Sequence, residues 1–388
     1  MGGEALKALQ ICEGLVERGH VVRQVTHARV RHEMTRDYPH LDITYLPDDR
    51  LQVWLSAMRL QFLLSLLNAW QLARLVRRQY PSFRPEIVHV TSPISPVLPL
   101  FPLAHPCVVL GPINGNIAYP PAFAAREPLG RRVARLSMPF VQRVFKWIDR
   151  QKRGATILVA GGARTRKALG YAGVASEKMI DTLDSGVAPS LFEYRPIVQD
   201  GRSGRFVFVG RLVAYKGCDL AIEALVLAPP DLTLDVIGEG PERMSLEALA
   251  AARGLKDRVR FLGWQTPDDA YYRTLQTYRA LILPSLAEAN GIVFQEAMTI
   301  GLPIVAVDWG GAAQLLDGGT AVLVEPASRE ASIASLCKAI TQLASDCRKA
   351  NELAQAARHR AEVQGFSWPR LLTAWEAVYA SVSGGNAR

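Results

Sequence analysis

Two glutamates, Glu288 and Glu296, stand in the run EANGIVFQEAMTIGLPIVAVDWGG with seven residues between them. The first follows an apolar strand pattern, ALILP at 280–284, and the second lies inside the helix pattern that comes next. A helix that opens at a strand's C-terminal edge points free N–H groups outward and makes an anion site. Glu288 in that loop can accept sugar hydroxyls, and Glu296, about two turns along, can reach ribose hydroxyls. A second group, GRLVAYKG at 210–217, places Gly210, Arg211 and Lys216 directly after the strand pattern FVFVG. Two cations at a strand's C-terminal end suit a diphosphate and the charge that develops as it leaves. The plainer alternative is two solvated loop cations.

Weaker signals lie elsewhere. Gly2-Gly3 opens a helix pattern, where glycine lets backbone approach a phosphate. His89 ends the strand pattern IVHVT, at the edge where α/β folds place ligand contacts; a structural hydrogen-bonding role weighs equally. GPINGNIAYPPAF at 111–123, with Asn114, either lines an acceptor pocket or is a plain loop. Trp309-Gly310-Gly311 either brings backbone toward a ligand or packs. The sequence has no metal-ligand cluster, no D-x-D and no nucleophile elbow, so no metal or other cofactor is expected.

The elements that must position these residues alternate. Apolar strands at 206–210, 234–238, 259–263, 280–284 and 304–308 are separated by helical patterns, which predicts parallel sheet covered on both faces. The same rhythm runs more loosely through strands at 21–26, 41–46, 87–91, 107–111 and 156–160. With 388 residues, two domains are expected: 1–185, 186–367, and a last helix at 368–388. The chain opens on a glycine pair and a helix with no strand before it, and a doubly wound domain usually has a central strand there. A first strand upstream is therefore expected.

Residues 1–190 hold 25 Lys and Arg against 14 Asp and Glu, net +11, and the remainder holds 20 against 22, net −2. A basic half points to an anionic partner. The densest cluster, 126–153, interleaves arginines and lysines with Leu136, Phe140, Val144 and Ile148, as a basic amphipathic helix does. Contact with an anionic membrane surface and a solvated outer face both fit it; no nucleic-acid motif accompanies it. Residues 51–73 are apolar but too short in their charge-free run to span a bilayer, and a helix buried against sheet is expected. Five scattered cysteines without a C-x-x-C argue for a reducing, cytoplasmic setting, peripheral to the inner membrane face where lipid is touched.

As a set, GRLVAYKG, VIGEGPE, RVRFLGW, the Glu288/Glu296 pair with EAMTIGLPIVAVDWGG, the SGV-x-x-x-LF linker and the closing FSW helix resemble the retaining GT-B glycosyltransferases of family four. The match spans almost the whole C-terminal half. The resemblance implies an α/β fold of two doubly wound domains facing a cleft, acceptor on the N-domain and nucleotide sugar on the C-domain. It implies that Arg211 and Lys216 hold the diphosphate, that Glu288 and the amides of Asn290, Gly291 and Ile292 hold the sugar, that Glu296 holds the ribose, and that Gly3 touches phosphate. The implied activity is retaining transfer of a hexose to a polysaccharide or lipid-linked acceptor. Two departures stand out: Ala289-Asn290-Gly291 replaces a common Gly-Phe-Gly, and Gly111-Pro112-Ile113 stands where many relatives carry a histidine. Two other classes stay open, a non-catalytic sugar-nucleotide binder and a UDP-sugar epimerase of the same fold.

Overall fold

The computed structural model describes residues 3–58, 60–92, 95–115, 117–147, 149–195 and 204–384. The chain divides into two units: Met1–Asn116 with Ala134–Ser185 and Trp368–Arg388, and Ile117–Val133 with Gly186–Ser367. The second unit thus takes Ile117–Val133, which the sequence reading assigned to the first. Ile148 and most of the polar stretch near 199–205 lie outside the described residues.

In the first unit α1 (Gly3–Glu17), β1 (Arg23–His27), α2 (Arg31–Asp37), β2 (Asp42–Leu46), α3 (Arg50–Ala57) and α4 (Gln61–Phe83) lead into β3 (Val88–Val90) and β4 (Val108–Ile113). Helix α5 (Leu129–Phe145), whose start to Val133 is counted with the second unit, and α6 (Arg150–Gly154) precede β5 (Thr156–Val159), α7 (Gly162–Tyr171) and β6 (Met179–Asp181). The strands form two parallel sheets, β1-β2 and β3-β4-β5-β6. The three-residue edge strand β6 is too short to show in the hydrophobic pattern.

Residues 51–73 do not make the single buried helix expected of them. They divide between α3 and α4, and while Leu55, Leu64 and Ala73 are buried, Trp54, Phe62 and Trp70 are exposed. Among the described residues no helix is long and apolar enough to cross a membrane. The basic run 126–153 is likewise not one helix. Arg126 precedes α5 and forks onto both carboxylate oxygens of Asp219, within the second unit.

The second unit runs β7 (Arg205–Val209), α8 (Cys218–Leu227), β8 (Thr233–Ile237), α9 (Arg243–Ala252), β9 (Val259–Gly263), α10 (Asp269–Leu275), β10 (Ala280–Leu283), α11 (Ile292–Ile300), β11 (Ile304–Val307), α12 (Gly310–Leu315) and β12 (Val322–Val324). Helices α13 (Arg329–Ser345) and α14 (Cys347–Val363) close it. Its six strands are all parallel, in the order β12-β11-β10-β7-β8-β9. Strands β10 and β11 read ALIL and IVAV with every residue buried, because helices cover both faces of the sheet. Counted within this unit the order is that of a dinucleotide-binding sheet, with the reversal between β7 and β10.

The last helix, α15 (Trp368–Gly384), belongs to the first unit. Trp375 is 1% exposed and its indole donates to Thr182 Oγ1 at 2.8 Å, while Arg18 and His20 grip Glu376.

Candidate functional site

A sheet that winds outward in both directions from one strand pair leaves a crevice at the carboxyl ends of that pair. Here the pair is β7 and β10, joined in parallel register at Ala280–Phe206 and Leu281–Val207. The loop after β7 carries Gly210, Arg211 and Lys216; the loop after β10 carries Glu288. Strand order therefore gathers two groups that lie far apart in sequence.

The loops are fastened to each other. Leu286 N donates to Tyr215 O at 2.7 Å. Gly217 has φ 71°, and a Cβ there would lie 2.3 Å from Pro284 O, so only glycine allows this approach. Lys216 Nζ donates to Glu288 Oε2, and both side chains are nearly buried, at 13% and 11% exposed. Glu288 also faces the Ser285 hydroxyl and its neighbour's amide, Ala289 N, each at 3.3 Å. The Trp309-Gly310-Gly311 run backs this loop: Gly311 N donates to Glu288 O at 2.9 Å, and a Cβ on Gly311 would sit 2.5 Å from Ala289 O. Trp309 Nε1 donates to Ala118 O at 2.7 Å, so its side chain packs within the second unit.

Helix α11 begins at Ile292 behind Gly291, a left-handed N-cap with φ 72° and no side-chain cap. Its first amides, at the edge of the β10 loop, keep the positive end of the helix dipole available. Asn290 Nδ2 lies 3.4 Å from Gln295 Oε1, a weak contact across this turn. Glu296 sits one turn into α11, and its carboxylate accepts from Tyr272 Oη at 2.9 Å. Burial against apolar helix pushes the Glu296 carboxyl up to about 7, and the Tyr272 bond only partly offsets this. Arg211 is exposed beside β7.

The structure thus brings Lys216 and Glu288 into direct contact, seats Asn290, Gly291 and Ile292 at the neighbouring helix start, and places Glu296 on that helix bonded to a residue of α10. Tyr272 was missed from sequence. Its only mark is a tyrosine in a short helix pattern, and its partner is 24 residues away.

The remaining candidates lie in the first unit. Gly3 opens α1, and Gly2 lies outside the described residues. His89 has both ring nitrogens engaged: Nε2 lies 2.8 Å from Gly111 O and Nδ1 lies 2.8 Å from Tyr379 Oη. A carbonyl only accepts, so Nε2 carries the proton. Burial lowers the pKa to about 4, which keeps the ring neutral, and Nδ1 then accepts from Tyr379. That arrangement leaves no free lone pair for a base and favours the structural role. Asn114 is 3% exposed; its Oδ1 accepts from Arg164 at 2.7 Å, and its buried Nδ2 has no partner among the described residues. Among the described residues no group of three His, Cys, Asp or Glu is arranged to hold a metal.

Two Rossmann-like units of parallel sheet, the second doubly wound with cations and a carboxylate at its switch point, define the GT-B fold class. Over residues 194–360 the chain matches the family described as Glycosyl transferases group 1. The chain is 30% identical over 230 residues to a 2-deoxystreptamine glucosyltransferase of Streptomyces kanamyceticus, covering 56% of this chain and 58% of that protein. The matched stretch thus spans little more than half of that curated relative, and 35% of an alpha-D-kanosaminyltransferase from the same organism, to which it is 36% identical over 36% of this chain. Among solved structures, a glycosyltransferase from Rickettsia africae matches with TM-score 0.70 and 15% identity, over 97% of this chain and 94% of that one. Anabaena HepE in complex with UDP matches with TM-score 0.68 and 17% identity, over 98% and 96%.

Proposed function

We propose that this chain transfers a hexose from a nucleotide diphosphate sugar to a hydroxyl of a polysaccharide or lipid-linked acceptor, with retention at the anomeric carbon. The observation that carries the reading is the Lys216–Glu288 pair at the switch point of a Rossmann sheet, beside the uncapped start of α11. A diphosphate seated there meets Lys216, Arg211 and the first amides of α11, which stabilise its charge as it departs. Lys216 then shares its protons with phosphate, and the Glu288 carboxylate accepts hydroxyls of the sugar. Glu296 accepts from the ribose.

The Ser285 hydroxyl touches the Glu288 carboxylate at 3.3 Å but is 1% exposed, so it is not presented to a substrate as a nucleophile. A front-face displacement fits: the acceptor oxygen bonds to C1 on the face the diphosphate leaves, the C1–O bond to phosphate breaks, and the acceptor's proton passes to a leaving phosphate oxygen. The glucosyltransferase name of one relative and the UDP bound by HepE support a UDP-hexose as the first donor to try.

The test incubates the protein with UDP-hexose and a panel of sugar, glycan and lipid-linked acceptors, and follows the anomeric protons by NMR. A new glycoside of the donor's own configuration, lost in Lys216→Ala, is expected. An inverted product would overturn retention. Epimerised donor without any acceptor would replace transfer by epimerisation, and binding without turnover on any acceptor would leave a non-catalytic binder.

A further inference from the structure

We propose that Tyr272 is a positioning residue for the nucleotide: it holds one oxygen of the Glu296 carboxylate so that the other is offered to the ribose. The inference rests on the donor reading above and deepens it. Tyr272 Oη, on α10, donates to Glu296 Oε1, on α11, at 2.9 Å. Among the described residues Glu296 Oε2 has no hydrogen-bond partner, and the side chain is only half-buried. An ionised carboxylate accepts on both oxygens, so this one keeps an open side. A glutamate held by a fixed donor also loses less side-chain freedom when it meets a ligand hydroxyl.

The donor is itself fixed. Tyr272 is buried, and its ring stands edge-on to Tyr271 at 5.0 Å and to Tyr194 at 6.1 Å between centroids. Asp268 caps α10 by accepting from Tyr271 N at 2.9 Å. Burial and the neighbouring Glu296 hold the Tyr272 phenol well above its ordinary range, so it stays a donor at every pH of interest. The other charged groups around α11 are engaged elsewhere. Arg358 of α14 donates to the Leu191, Phe192 and Thr299 carbonyls and to Glu362. Arg273 of α10 donates to Asp269, which also accepts from Tyr194. Strand β11 brings only the apolar IVAV. Burial therefore raises the Glu296 carboxyl, and the Tyr272 bond opposes it by favouring the ionised form. Loss of that bond should raise the carboxyl further.

The test uses Tyr272→Phe, which keeps the ring and removes only the hydroxyl. Affinity for UDP is measured by calorimetry across neutral and alkaline pH for the parent, Tyr272→Phe, Glu296→Ala and the double variant. The Glu296 carboxyl carbon is also titrated by NMR without nucleotide, assigned by its loss in Glu296→Ala. Tyr272→Phe is expected to move the carboxyl midpoint, and the rise in UDP affinity with it, upward by about one pH unit. At alkaline pH it should weaken UDP by about three- to tenfold. In the Glu296→Ala background the same change should alter affinity by less than about twofold, because Tyr272 acts through the carboxylate. A midpoint that does not move, or an equal loss of affinity in the Glu296→Ala background, would overturn the inference. A parent that binds neither UDP, GDP nor ADP would contradict the donor reading and take the ribose half of the inference with it. The NMR midpoint would then still show whether Tyr272 holds Glu296.

Discussion

Glu296 is an acid held near neutrality by its surroundings, and this has two measurable consequences. Its pKa rises from the ordinary 4.5 to about 7 through burial. Between those values the folded chain keeps a proton that the unfolded chain releases. The side chain's contribution to stability is therefore full below about pH 4.5 and falls as pH climbs toward about 7. Glu296→Gln should remove this slope in denaturant titrations and be the more stable protein above pH 7 by about 3 kcal/mol. Parallel pH profiles for the two proteins would refute the account of this residue. Ribose hydroxyls donate best to the ionised carboxylate, so nucleotide affinity should rise as pH passes upward through 7 in the parent and stay flat in the variant. At this scale the site was partly legible. Lys216 and Glu288 each stand out by type beside a strand, but their contact spans 72 residues and depends on strand order, which neither local pattern contains. Tyr272 carried no signal, because its role comes wholly from packing against α11.

Helices and loops set the tolerances of the site. Gly217 and Gly254 have nearly the same backbone, φ 71° and 72°, but a Cβ on Gly254 meets nothing within 4 Å and one on Gly217 meets Pro284 O at 2.3 Å. Gly254→Ala should thus cost about 1 kcal/mol from its left-handed conformation alone. Gly217→Ala should cost about 2 kcal/mol more and weaken nucleotide binding, since the β7 loop must leave the β10 loop. Equal costs in thermal melts would mean that the loops are not held together there. Strongly apolar strands such as β7, β10 and β11 were legible because burial on both faces leaves a continuous hydrophobic run. The three-residue edge strands β6 and β12 were not read, although the equally short β3 was. Residues 51–73 misled for a related reason. Apolar composition reports that a segment needs cover but not which element supplies it, and α3 and α4 leave one side uncovered.

On the scale of the whole chain, the fold class was legible in the alternation of strand and helix, whereas the path of the chain between units was not. Ile117–Val133 carries strand-poor, proline-rich sequence, and its place in the second unit comes from Arg126 on Asp219 and Trp309 on Ala118. The central claim concerns one place in this architecture: the switch point between β7 and β10 receives a nucleotide diphosphate. The most direct measurement is calorimetric titration of the intact protein with UDP, GDP, ADP and dTDP, repeated for Lys216→Met. The account predicts that one nucleotide binds in preference and that the variant, lacking charged hydrogen bonds to phosphate, binds it about 10- to 100-fold more weakly. A variant that binds as tightly as its parent, or a folded parent that binds none of the four, would contradict it.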